Sequence, residues 1–210
     1  MKFNKIFYWL FLVTVCFLIP LSQGFAQKDT WFGAATYQVS FPVGDTKEFT
    51  DATSFLGFGL DFRYTVQKST TVGMAFGWNI FHERTTRTAE LATENPGTIT
   101  GTQDRYLNAF PIMANVHYYF GERKGIRPYV GLNAGGYYML QRFAIGIVSL
   151  QNDRWEWGIA PEAGVIIPVD RELAIMVNGK YNYAFTGESA LGTDIKHSYI
   201  GLNIGIVWQQ

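Results

Sequence analysis

An all-β chain closed into an eight-stranded antiparallel up-and-down transmembrane β-barrel, behind an N-terminal signal peptide, is the fold this sequence predicts. Three observations predict it. Apolar residues alternate with a period of two through eight successive segments, the periodicity of strands. The connections between those segments alternate between long and short. The less apolar face of the segments is crowded with glycine, which suits the concave inside of a narrow barrel.

The last segment, residues 197–210, shows the alternation most plainly. Ser198, Ile200, Leu202, Ile204, Ile206 and Trp208 share one face, and Tyr199, Gly201, Asn203, Gly205 and Val207 the other. The first strand spans 31–41, with Ala35, Tyr37 and Val39 against Thr36, Gln38 and Ser40. A polar loop over 42–54 leads to the second strand, 55–66, where Leu56, Phe58, Leu60, Phe62 and Tyr64 oppose Gly57, Gly59, Asp61 and Arg63. After a short turn the third, 71–81, sets Val72, Met74, Phe76, Trp78 and Ile80 against Gly73, Ala75, Gly77 and Asn79. Residues 82–105 are rich in Thr, Glu and Arg, contain the turn signal Asn95-Pro96-Gly97, and are expected to be the longest irregular piece. Strands four (106–120), five (127 to about 142), six (154–168) and seven (173–185) follow, with short turns after four and six and a polar loop over 186–196. The boundary within 143–153 stays open between a longer strand five and a folded loop.

Composition narrows the function classes. The chain of 210 residues is 48% hydrophobic, 17% aromatic and only 16% charged, against about a quarter charged in ordinary globular domains. Net charge is zero and no basic tract stands out, which argues against nucleic acid as a partner. Lys2 and Lys5, the apolar run 6–21, and Gly24 and Ala26 before a cut at 26/27 form a secretory signal, leaving residues 27–210 as one barrel domain. The single cysteine, Cys16, leaves with the signal, so the exported chain has no disulfide or thiolate chemistry. Closing the sheet on itself is then the natural way to satisfy its edges.

Parity alone does not separate a soluble barrel with an apolar inside from a membrane barrel with an apolar outside. The glycines favour the second: Gly57, Gly59, Gly73, Gly77, Gly131, Gly135, Gly158, Gly164, Gly201 and Gly205 all share the less apolar face. A solvated surface has no steric need for them, whereas a narrow lumen does. The other face carries aromatics near strand ends, including Trp31, Tyr64, Trp78, Phe110, Tyr118, Tyr138, Trp157 and Trp208, as a membrane girdle would; Phe81 is counted with them but breaks the parity, which suits a loop mouth. Both termini then lie on the periplasmic side.

The candidate site is a polar network inside the lumen, formed by Asp61, Arg63, His117, Glu156, Glu162 and Lys180. Counting from the turns, Glu162 and Lys180 sit at similar depth on neighbouring strands and are expected to pair, with Asp61 and Arg63 joining them across the interior. Two roles are open to such a network, a plug of satisfied charges or a gate that rearranges to pass ions or small solutes. His82, His197 and Glu83 lie near the rim, but their spacing is not a zinc pattern. His197 and Ser198 are adjacent on a strand, point to opposite faces and form no proton-transfer pair. No nucleotide-binding loop is present. No catalytic, cofactor or metal residues are assigned, and the chain is not expected to be an enzyme.

The stretches Arg127-Pro128-Tyr129-Val130-Gly131-Leu132-Asn133-Ala134-Gly135-Gly136-Tyr137, Phe110-Pro111-Ile112 through Tyr118-Tyr119-Phe120, Ala160-Pro161-Glu162-Ala163-Gly164 and the closing strand resemble the small eight-stranded outer-membrane β-barrel family. That family includes the barrel domain of outer membrane protein A, outer membrane proteins X and W, and the opacity-type proteins. The resemblance covers about residues 31–208 and rests on texture more than chemistry. It implies a bacterial cell outer membrane location, outer-membrane lipid as a partner, and recognition of the last strand by the barrel-assembly machinery. Here Trp208 is followed by Gln209-Gln210, a departure from the family's terminal aromatic. Three functions compete: a structural or surface-interaction barrel with a plugged lumen, a narrow pore or carrier for small or apolar solutes, and a soluble periplasmic lipid-binding barrel. The extracellular ligand is not readable.

Overall fold

The computed structural model describes residues 31–91, 97–121, 125–145, 148–185, 187–188 and 194–209. The expected signal peptide, and the Asn95-Pro96 part of the expected turn, lie outside them.

The strands are β1 (Trp31–Val43), β2 (Ser54–Gln67), β3 (Thr70–Leu91), β4 (Gly97–Tyr119), β5 (Arg127–Ile145), β6 (Val148–Pro168), β7 (Leu173–Ala184), β8 (Gly187–Glu188), β9 (Asp194–Ile195) and β10 (Ser198–Gln209). Each of the eight long strands pairs antiparallel with its long neighbours in chain order, β7 with β10 included, and β1 pairs antiparallel with β10 to close the barrel. β8 and β9 form a separate two-stranded pair in the β7–β10 connection. Closure leaves the main sheet without a free edge through its shared height.

Polarity is inverted relative to a soluble barrel. Outward positions carry Leu202, Ile204 and Ile206, each more than half exposed, and the outward faces of β1, β2, β7 and β10 carry no charge. On β3 to β6 the first outward ionisable side chains other than tyrosine are His82, Asp104, Arg142 and Asp153, towards the long-loop end. Inward positions hold Asp61, Arg63, Asn115, His117, Asn133, Glu162 and Asn178, all buried. Such a lumen does not suit the soluble lipid-binding barrel, whose inside would be apolar.

Aromatic rings mark two levels on the outside. Trp31 packs on Tyr64 at 4.9 Å, and Tyr118 on Phe120 at 5.1 Å, towards the short-turn end. Towards the other end Trp78, Phe110, Tyr138 and Trp155 touch in sequence across four strands, at 5.6, 6.3 and 5.3 Å. From Phe110 to Tyr118 is about 26 Å along β4, or about 20 Å along the axis at a tilt near 40°. That height is close to the roughly 25 Å apolar band of an outer-membrane barrel.

Several expectations are corrected. The described residues of 82–105 are not irregular: β3 and β4 stay paired from His82↔Tyr106 out to Leu91↔Gly97, far beyond the upper aromatic level. The polar loop after β1 is shorter, because β1 runs to Val43 and is followed by helix α1 (Asp45–Phe49), entered through Gly44 with φ of 54°. The open boundary within 143–153 resolves to the longer strand over its described residues, since β5 and β6 pair out to Ile145↔Val148. Phe81 does not belong to the outer girdle. It keeps parity with Asn79, is fully buried in the lumen and meets Tyr199 edge-on at 5.4 Å. Ser198 keeps the outer parity, level with Val43 and Tyr183, but is buried beneath α1: its N–H donates to Thr46 Oγ1 and its hydroxyl to the Val43 carbonyl.

Candidate functional site in the lumen

The strand pairing places five of the six candidate residues in one cluster. Asp61 and Arg63 are two apart on β2, so both point inward, and Arg63 Nη2 lies 3.1 Å from Asp61 Oδ1. The same nitrogen lies 3.1 Å from Glu162 Oε1, reaching across the lumen from β2 to β6. Lys180 is the direct cross-strand partner of Glu162, with Nζ 3.0 Å from Oε2. His117 Nε2 is 2.7 Å from Glu162 Oε1. Asn133 donates to Glu162 Oε2 at 3.0 Å and Asn115 to Asp61 Oδ1 at 3.2 Å.

Two carboxylates thus face two obligate cations, with His117 as a fifth polar member. Arg63 is fully buried, yet its donors are engaged: Nη1 donates to Tyr119 Oη at 2.9 Å, and the guanidinium carbon lies 5.1 Å and 5.3 Å from the Phe32 and Tyr129 ring centres. Burial of charge is tolerable here because each charge meets both an opposite charge and hydrogen bonds.

Glycine makes these reaches possible. His117, Gly131 and Glu162 occupy one register row on β4, β5 and β6. A Cβ at Gly131 would collide with the His117 ring, so the absent side chain is what lets the imidazole cross β5 to Glu162. Two other rows repeat the device. Asn79 donates to Gln38 across Gly57 at 3.2 Å, and Asn178 donates to the Tyr129 hydroxyl across Gly164 at 2.8 Å.

Glu156 does not join this network. It sits six residues further along β6, towards the long-loop end, where its Oε2 is 2.8 Å from His197 Nδ1. His197 Nε2 is in turn 2.5 Å from Gln141 Nε2. His197 is buried inside rather than placed at the rim with His82, which faces outward, stacks on Tyr106 at 4.0 Å and lies 3.6 Å from Asp104. Glu83 accepts the Asp51 N–H at 2.9 Å, so the three rim residues are not brought together. Among the described residues no cluster of three metal-ligating side chains forms. Residue 197 keeps the inward parity of Tyr199, which gives the face of His197 but not its partner.

Helix α1 lies over this end. Arg105 donates to the Phe49 carbonyl at 2.7 Å, with its guanidinium 5.8 Å from the Phe49 ring centre, and Asp45 accepts the Lys196 N–H at 3.1 Å. Phe49 belongs to an apolar layer with Phe81, Leu107, Met139 and Tyr199. Between that layer and the ion cluster lies a cavity of about 20 Å³, bordered by Gln38, Asn79, Asn133, Lys180 and Asn203, with room for about one water.

No protein-family model matches the sequence, and no curated protein matches it. Solved structures do. The crystal structure of Neisserial surface protein A superposes over 86% of this chain and 96% of its own, at 14% identity and a TM-score of 0.53. A major outer membrane protein from Thermus thermophilus matches over 86% of this chain and 99% of its own, at 9% identity and 0.56. Ail, the attachment invasion locus protein of Yersinia pestis, matches over 88% and 99%, at 12% identity and 0.51. At these identities the likeness concerns architecture, and the architecture of this chain is that of the small eight-stranded outer-membrane β-barrels.

Proposed function

We propose that this chain is a small bacterial outer-membrane protein with a structural or surface-interaction role, its lumen plugged by its own side chains. One observation carries the reading: an uncharged apolar wall between two aromatic levels surrounds a lumen of mutually bonded polar groups. In water that arrangement would expose the wall, whereas in a bilayer it buries it. The β3–β4 and β5–β6 hairpins rise beyond the upper aromatics and are the surface offered to partners. Export through a cleaved leader over residues 1–26, and handling of β10 and Trp208 by the barrel-assembly machinery, belong to the same proposal. The test is migration of unboiled against boiled refolded protein on a gel, with carbonate-washed membranes assayed alongside. A shift and membrane retention support the reading. An unshifted, soluble chain ends it.

A second reading, a narrow path for small or apolar solutes, is favoured by one local feature. Pro111 sits within β4, and the β3–β4 pairing skips from Phe76↔Ile112 to Asn79↔Ala109 opposite it. Phe76, Gly77 and Pro111 also border the small lumenal cavity, so the cavity reaches the wall at this gap in the pairing. Bilayer conductance and liposome swelling separate the two. The plug reading expects no resolved conductance, and Lys180→Met leaves it so. A conductance that changes sharply in Lys180→Met supports the path.

A further inference from the structure

The outer wall of β4, β5 and β6 carries two depressions that the lumen does not use. The first is apolar, about 440 Å³, with Ala114, Ala134 and Gly136 as its floor and Ile112, Trp155 and Trp157 as its sides. It exists because three neighbouring outward positions hold Ala or Gly where most of the wall holds larger side chains; the Trp155 ring lies 3.2 Å from where a Gly136 Cβ would stand. The second, about 230 Å³, lies nearer the long-loop end, between Tyr106, Asn108, Leu140, Arg142 and Gln151.

Register stacks the two in one column. Across β4 and β5 the pairs are Ala114↔Ala134, Phe110↔Tyr138 and Tyr106↔Arg142. Across β5 and β6 they are Gly136↔Trp157, Tyr138↔Trp155 and Arg142↔Gln151. The upper aromatic level therefore runs between the depressions. From Gly136 to Arg142 is about 20 Å along the strand, or about 15 Å along the axis. The apolar slot then faces acyl chains while Arg142 stands at the level of headgroups.

Charge agrees with this placement. The upper depression is bordered by one guanidinium and no carboxylate, and Arg142 Nε donates only weakly, to Ser149 Oγ at 3.3 Å. The acids on the same wall are otherwise engaged: Asp153 accepts from the Tyr138 hydroxyl at 3.0 Å, and Asp104 faces Arg84 at 3.7 Å.

We propose that this column binds one anionic lipid of the leaflet at the long-loop end, its phosphate on Arg142 and an acyl chain in the Ala114–Ala134–Gly136 slot. The proposal rests on the membrane reading above. That reading is checked first, by gel shift and carbonate-resistant vesicle insertion; failure there removes both. Inserted protein is then transferred to mixed micelles holding phosphatidylglycerol and phosphatidylcholine with the same chains, and retained lipid is weighed by native mass spectrometry. One phosphatidylglycerol is retained in preference by about fivefold, the order expected for one basic side chain at the headgroup level. Arg142→Gln brings the preference to parity, Gly136→Leu lowers retention of both lipids, and Arg84→Gln changes neither. An undiminished preference in Arg142→Gln, displacement of the lipid by inorganic phosphate alone, or a dimer mass in place of the lipid adduct overturns the proposal while leaving the membrane reading intact.

Discussion

Glu162 and Glu156 are the same residue on the same strand, both inward and both buried, yet they are held differently. Glu162 accepts from Arg63, His117, Lys180 and Asn133, drawn from four other strands. Glu156 has His197 on one oxygen, while its Oε1 is buried and meets no hydrogen-bond partner among the described residues. The first ties β2, β4, β5, β6 and β7 together through the membrane-spanning part of the barrel. The second ties β6 to the segment that also carries Lys196 and Ser198, and through them α1 at the mouth. A buried carboxylate therefore acts as a hub or as a local latch according to how many strands send it donors.

The largest expected effect comes from breaking the hub. Glu162→Ala leaves Arg63, Lys180 and His117 without their shared carboxylate, and loss of one partner in a buried charge cluster costs about 3–5 kcal/mol. The measurement is the urea midpoint of the heat-modifiable band in vesicles. Removing Lys180 as well, in Glu162→Ala/Lys180→Met, recovers part of that loss, because one orphaned cation goes with it. A single variant with an unshifted midpoint would show that the lumen charges hold nothing together.

The next effect sharpens the role of the glycine rows. Gly131→Val places a branched side chain where the His117 ring lies, so the imidazole must leave Glu162. Overpacking of this kind costs about 1–3 kcal/mol. The same substitution at Gly179, which faces outward with only Leu202 near its Cβ position, costs less than at Gly131. Equal costs at the two sites would mean that the inner glycines serve strand geometry in general and not the passage of side chains.

These rows also show what was legible in the sequence. Alternation assigned the faces, and the run of glycines on one face pointed to a crowded lumen. The Glu162–Lys180 pairing followed from the four-residue turn between β6 and β7, since a tight turn fixes register. The His197–Glu156 contact did not follow, because the connection over 185–197 is long and fixes no register. The pairing of residues 82–91 with 97–106 was missed for a different reason. The sequence over 82–105 is mostly polar at both parities, so the alternation that marks a strand vanishes while the backbone pairing continues. Helix α1 has five residues and too few apolar positions to show a helical period.

Breaking the latch has a smaller and more local effect. Glu156→Gln keeps the volume but removes the charge on which His197 Nδ1 leans, and the loss of one charge-assisted hydrogen bond costs about 1–2 kcal/mol. The hub remains, so the urea midpoint moves less than in Glu162→Ala. The contrast appears instead in limited proteolysis, where cleavage within α1 and residues 194–198 speeds up before the barrel itself is cut. A midpoint shift as large as that of Glu162→Ala would erase the distinction between hub and latch.

The smallest effect is expected from the surface of the same mouth. Lys47 lies 3.5 Å from Asp51, four residues on, with both side chains mostly exposed. An exposed pair of this spacing contributes under about 0.5 kcal/mol, because solvent screens the charges and both side chains lose freedom to meet. Lys47→Ala should therefore leave both the urea midpoint and the proteolysis rate near those of the unaltered chain. The helix is held instead by buried groups: Thr46 Oγ1 accepting the Ser198 N–H, the Phe49 ring in the apolar layer, and Arg105 on the Phe49 carbonyl. If Lys47→Ala loosened the mouth as much as Glu156→Gln, surface charge on α1 would be what closes it, and the buried His197–Glu156 pair would no longer be the latch.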